Sequence, residues 1–206
     1  MAERDVFIVA GGVDRNDEPI YSVERCFPHQ GRWAQVQWPM LTDRHDFALC
    51  ALGGCVFVVG GLDESEDPDA QTLKTVEQYV VATHTWRPVA PMCCARQGPR
   101  GCAVPGAGSV GRIYALGGFN ADGVTLSSVE YYDPATNTWT MSRAVPDVPR
   151  SYGAAVALED AIYVRAYTHP LPCTCAAHDL QRTLSATPYL ISLSAGLWAG
   201  WRMRPS

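Results

Sequence analysis

Short apolar runs alternate with polar, glycine- and proline-bearing stretches from residue 6 to about residue 165. VFIVA (6–10), FALCAL (47–52), CVFVV (55–59), RIYAL (112–116), AAVAL (154–158) and AIYV (161–164) have the length of β-strands, and no segment of ten or more residues carries a 3.6-residue period. The near-continuous runs predict strands buried on both faces, whereas Val76-Glu77-Gln78-Tyr79 alternates as a half-exposed strand does. TWRPV (85–89) and TWTM (138–141) complete the set, and the intervening DPATN (133–137) is turn chemistry.

These runs repeat. Val-Glu recurs at Glu24, Glu77 and Glu130, each 53 residues after the last, and a tryptophan follows nine residues later at Trp33, Trp86 and Trp139. A diglycine closes the apolar run upstream each time: Gly11-Gly12, Gly60-Gly61 and Gly117-Gly118. Arg44, Arg96 and Arg150 open the next unit. Each unit therefore predicts four short antiparallel strands, a to d. The diglycine ends strand b where a Cβ would collide with neighbouring backbone.

A period of about 50 residues, the diglycine, and a Tyr separated from a Trp by six residues (Tyr79/Trp86, Tyr132/Trp139) resemble the kelch signature of four-stranded propeller blades. The first repeat has Cys26 in place of the tyrosine. The resemblance covers residues 6 to about 165. Aligning Ile162-Tyr163-Val164 on Ile113-Tyr114-Ala115 puts Ala166-Tyr167 where the fourth diglycine belongs, and no further Val-Glu follows. The expectation is an all-β, incomplete kelch-type propeller. It has thirteen strands, about three blades, over residues 1–165, and a divergent, irregular tail over 166–206.

Composition removes other classes. Charged residues are 18% and the hydrophobic class 47%, so a disordered chain is excluded. A net charge of −5 gives no electrostatic basis for nucleic-acid binding. The uncharged stretch 47–62 is shorter than the ~18 residues that span a bilayer. Eight cysteines without a CxxC pair or an N-terminal signal pattern point to reduced thiols and a cytoplasmic protein. Gly106, Gly108 and Gly111 match a dinucleotide glycine pattern, but a strand follows them instead of a helix, so they read as a hairpin loop. His169, Cys173, Cys175 and His178 are zinc-type ligands at a spacing no common finger uses. No nucleophile with a base assembles, so the expectation is a non-enzyme with no cofactor and no metal.

The resemblance implies more. Kelch propellers of this consensus are similar to the substrate-recognition half of BTB–kelch adaptors for cullin-type ubiquitin ligases, and these 206 residues hold no BTB segment. In that family, arginines preceding a strand such as Arg150-Ser151-Tyr152-Gly153-Ala154 line the substrate face. Arg44, Arg96, Arg150 and Tyr152, with the loop acids Asp63, Glu64 and Asp122, are thus the expected partner-binding residues, the alternative being solvated loops and arginines that brace the blade junctions. They would dock a short polar or acidic protein segment by charge-assisted hydrogen bonds. The alternatives are an actin-binding kelch module and a kelch-like oxidase. The oxidase would need a copper site of Tyr, Cys and His, which the repeats lack.

Overall fold

The computed structural model describes residues 7–12, 14–16, 20, 22–35, 39–63, 71–106, 108–143, 151–158, 161–167 and 189–192. They form fourteen strands in four antiparallel meanders. The first sheet contains β1 (Phe7–Ala10), β2 (Val23–Phe27) and β3 (Arg32–Gln35). The second runs β4 (Ala48–Leu52), β5 (Cys55–Val59), β6 (Val76–Val80), β7 (Thr85–Val89). The third runs β8 (Arg100–Gly106), β9 (Ser109–Leu116), β10 (Val129–Asp133), β11 (Thr138–Met141). The fourth holds β12 (Ser151–Leu158), β13 (Ala161–Tyr167) and β14 (Tyr189–Ser192). Four meanders of this kind are the incomplete propeller that the resemblance implies.

The repeat period becomes register. Tyr79 lies opposite Trp86 and Tyr132 opposite Trp139, with ring centroids 5.1 and 5.4 Å apart. The rings cover the c–d hairpin, as aromatic cross-strand pairs do. In the first sheet Trp33 opposes Cys26, finds no ring there, and stands 55% exposed.

Successive sheets stack face to face through three cores. Ile8, Ala10 and Val23 of the first sheet meet Val56, Val58 and Tyr79 of the second. Phe57, Val59 and Val76 on the other side of that sheet meet Ile113, Ala115, Tyr132 and Trp139. Cys102, Tyr114 and Leu116 then meet Ile162 and Val164 of the fourth. Val56–Val59 of β5 and Ile113–Leu116 of β9 have both faces in a core, and these segments are apolar throughout for this reason.

Two expectations are corrected here. Val76 to Tyr79 are all buried, so the polar alternation of β6 does not mark a half-exposed strand. Its polar members are spent on partners: Gln78 accepts from Arg87 Nε at 2.7 Å, and Glu77 serves the junction described below. Tyr189–Ser192 adds a strand to the thirteen expected, pairing antiparallel with β13 in the place of strand c. It does so without Val-Glu, because ladder pairing needs extended backbone and not the landmark side chains. The remaining tail residues lie outside the described set. Gly106 faces Ser109 across the β8–β9 hairpin, which is the loop reading of the glycine pattern.

Candidate functional site

The b–c loops and the d–a links come together at one end of the sheets. Isolated bridges tie them: His45 to Leu62, Leu62 to Thr72, Gln97 to Phe119, Phe119 to Thr125. The diglycines make room for this. A Cβ on Gly60 would lie 2.5 Å from the Arg96 carbonyl oxygen, and one on Gly61 2.5 Å from that of His45. Gly61 N–H in turn donates to Arg96 O at 2.8 Å, so the link entering the third blade rests on the end of β5. Their φ angles of 66° and 105° also favour glycine.

The motif arginines lie beneath this face. Arg44 and Arg96 are both 0% exposed. Arg44 Nη2 donates to Glu77 Oε1 at 2.5 Å, and its Nη1 donates to the Gly60 and Thr75 carbonyls at 3.1 Å. Glu77 Oε2 accepts the Leu41 N–H at 2.7 Å. The third blade repeats the scheme. Arg96 Nε and Nη2 donate to Glu130 Oε1 at 3.0 and 2.8 Å, and Nη1 donates to the Gly117 and Ser128 carbonyls. Glu130 Oε2 and Oε1 accept the Cys93 and Cys94 N–H groups at 2.6 and 3.2 Å. Burial pulls the Arg44 pKa down, with Glu77 opposing.

Val-Glu, diglycine and arginine are therefore one device. The carboxylate caps the N–H groups of the incoming link, and the guanidinium caps the carbonyls at the ends of strands b and c. This corrects the expectation that Arg44 and Arg96 meet a partner: both are fully buried in the junction. Arg150 and Glu64 lie outside the described residues, as does the Tyr152 side chain. Asp63 is half-buried, and Asp122 is exposed and accepts from Asn120 Nδ2 at 3.1 Å. Asp43 and Asp46 on the link are exposed as well. Asp46 anchors the neighbouring link: Gln97 Nε2 donates to its side chain at 3.2 Å and Gly98 N–H to its carbonyl at 2.7 Å. Its φ of 52° was not readable as a turn signal from Arg-His-Asp-Phe.

At the opposite end, Tyr79 Oη sits 2.9 Å from His84 Nδ1, and Tyr132 Oη donates to Asn137 Oδ1 at 2.8 Å. His84 and Asn137 are equivalent turn residues with φ of 56° and 51°. Among the described residues no group of three or more His, Cys, Asp or Glu could hold a metal ion. The His169–His178 set lies outside them. No helix among the described residues is long and apolar enough to cross a membrane.

The kelch motif model matches residues 43–92 and 110–143, that is, the second sheet and strands β9 to β11 of the third. Kelch-like protein 35 of Mus musculus is 30% identical over 166 residues, 78% of this chain and 25% of the relative. Kelch-like protein 36 of Mus musculus is 30% identical over 150 residues, 72% and 23% respectively. Alpha-scruin of Limulus polyphemus is 32% identical over 162 residues, 74% and 16%. The chain thus spans a quarter or less of each of these relatives.

Proposed function

The chain is a kelch-repeat protein resembling the propeller half of the kelch-like adaptors, and from that premise we propose that it is a non-enzymatic, cytoplasmic recognition module whose loop face docks a protein segment for cullin-type ubiquitin ligation. A protein-interaction propeller follows from the kelch repeats. The adaptor role rests on the likeness to the Kelch-like proteins, and contact with a cullin would fall to a BTB part outside these residues. The observation that carries a face-on docking role is the junction itself. Buried Arg–Glu pairs hold the d–a links rigidly, so the side chains above them present a fixed surface at little entropic cost on binding.

The same geometry revises the chemistry of the docked segment. With Arg44 and Arg96 buried, the described arginines that would attract an acidic segment are spent. The b–c loops carry nine of the 21 acidic residues against two basic ones, Arg15 and Lys74. The exposed Asp43, Asp46 and Asp122 belong to this face. A segment bearing Lys or Arg fits better. A peptide-array screen with the 206-residue chain tests this. Bound peptides should be enriched in Lys and Arg and lose affinity to an Asp43→Asn/Asp122→Asn variant; enrichment in Asp and Glu would contradict it.

The likeness to alpha-scruin favours a second reading, an actin-binding kelch module. Cosedimentation with actin filaments separates the two. Saturable pelleting of the chain supports the second, and its absence alongside peptide capture supports the first.

A further inference from the structure

We infer that Cys93 and Cys94, on the link that enters the third blade, form a vicinal dithiol site for a trivalent arsenical, both thiols closing on one arsenic atom. The inference is independent of the adaptor reading, since it needs only the link and the carboxylate beneath it. Among the described cysteines Cys93 is the exposed one, Cys94 is half-buried, and both thiols are free. Cys26 and Cys55 are half-buried, Cys50 and Cys102 are buried, and none of these four has a cysteine beside it in sequence.

The backbone sets the two side chains together. In a strand, neighbouring residues point to opposite sides. Here the Cys93 and Cys94 N–H groups both reach one carboxylate, at 2.6 Å from Glu130 Oε2 and 3.2 Å from Glu130 Oε1. The chain is therefore bent at the pair, and the two Cβ atoms are not thrown to opposite faces. Glu130 is fully buried and is itself held by Arg96 Nε and Nη2. The bend is thus fixed before a ligand arrives, which lowers the ordering cost of closing on one. The junction does not need the thiols. The link into the second blade carries Leu41 and Thr42 at the equivalent places, and the Leu41 N–H caps Glu77 in the same way.

The donor set selects the ligand. Both Glu130 oxygens are engaged, and no group of three or more His, Cys, Asp or Glu among the described residues could hold a metal ion. A four-coordinate zinc is therefore not satisfied here. Two sulfurs do satisfy a trivalent arsenic that brings its own third substituent. An arsenic oxide R–As=O condenses with the pair: two As–S bonds form, the arsenic–oxygen bond breaks, and the oxygen leaves as water with both thiol protons. Nothing is oxidised or reduced. Desolvation raises the Cys93 pKa, and Glu130 and the nearby Cys94 thiol add to the rise. That disfavours oxidants, which attack the thiolate, whereas the condensation consumes the protonated thiol. Cys93 Sγ donates to Trp139 O at 3.8 Å, a long contact that is given up at little cost.

The probe is phenylarsine oxide, added to the 206-residue chain in a large excess of glutathione and followed by intact-mass spectrometry. One adduct per chain is expected, resistant to the monothiol and reversed by 2,3-dimercaptopropanol. Tryptic mapping should place it on segment 75–96, whose cysteines are Cys93 and Cys94 alone; this reading needs no variant. Cys93→Ser and Cys94→Ser each keep the backbone N–H on Glu130 and are checked by melting curve. Each should weaken binding at least about a hundredfold, because the second As–S bond is no longer intramolecular. Cys173→Ser/Cys175→Ser, which removes the other closely spaced pair in the sequence, should leave the affinity unchanged. The proposal is overturned by absence of an adduct, by its displacement by glutathione, or by its mapping outside segment 75–96. Undiminished binding by either single variant, or loss of binding in the Cys173→Ser/Cys175→Ser chain, overturns it equally.

Discussion

Arg96 and Glu130 show what the landmark residues do. Each is fully buried, and between them they satisfy two carbonyls, two amide N–H groups and a serine hydroxyl. Deleting one member leaves the other charged and buried. Arg96→Met should therefore cost on the order of 3–5 kcal/mol in urea denaturation, and a loss below about 1 kcal/mol would contradict the bracing role. The sequence marked these residues by their spacing, but spacing alone does not separate an arginine that braces from one that binds. Burial does. The tryptophans make a second test. Trp139 is 8% exposed and packed on Tyr132, so Trp139→Ala should cost about 3–5 kcal/mol. Trp33, opposite Cys26 and 55% exposed, should lose no more than about 0.5 kcal/mol on the same change. Equal losses would refute the difference between the two sheets.

At the scale of the strand, the apolar runs were legible almost residue for residue: CVFVV is β5, TWRPV is β7, VEYYD is β10 and TWTM is β11. Extended strands of this kind declare themselves by local pattern. β6 departs from its sequence pattern because a polar residue held by a distant partner looks, in sequence, like one facing water. β14 was not legible because its pairing rests on backbone alone. Strands β4 and β8 carry Cys50 and Cys102 at equivalent positions, and burial pushes both thiols from about 9 up to about 12. In the unfolded chain they ionise near 9, so between pH 9 and 12 the folded state binds more protons. Stability then falls as pH rises through that window. The melting temperature should drop above pH 9, and less steeply in a Cys50→Ala/Cys102→Ala variant. A parallel pH profile would count against buried thiols at these sites.

Over the whole molecule, the order of sheets followed from the period, while the loop face kept its place and changed its charge. Each sheet buries one face against the sheet before it and the other against the sheet after it. The two ends of the arc break this rule. Val9 and Trp33 on the first sheet are 46% and 55% exposed. Val156, Leu158 and Tyr163 on the fourth are 59%, 60% and 38% exposed. Apolar sheet faces of this kind invite association. The described residues form an open arc of blades whose two end faces are exposed, and light scattering of the 206-residue chain at micromolar concentration is the test of it. Self-association to a mass above 22.4 kDa is the expected result. A monodisperse 22.4 kDa species with a sharp, cooperative melt would contradict it.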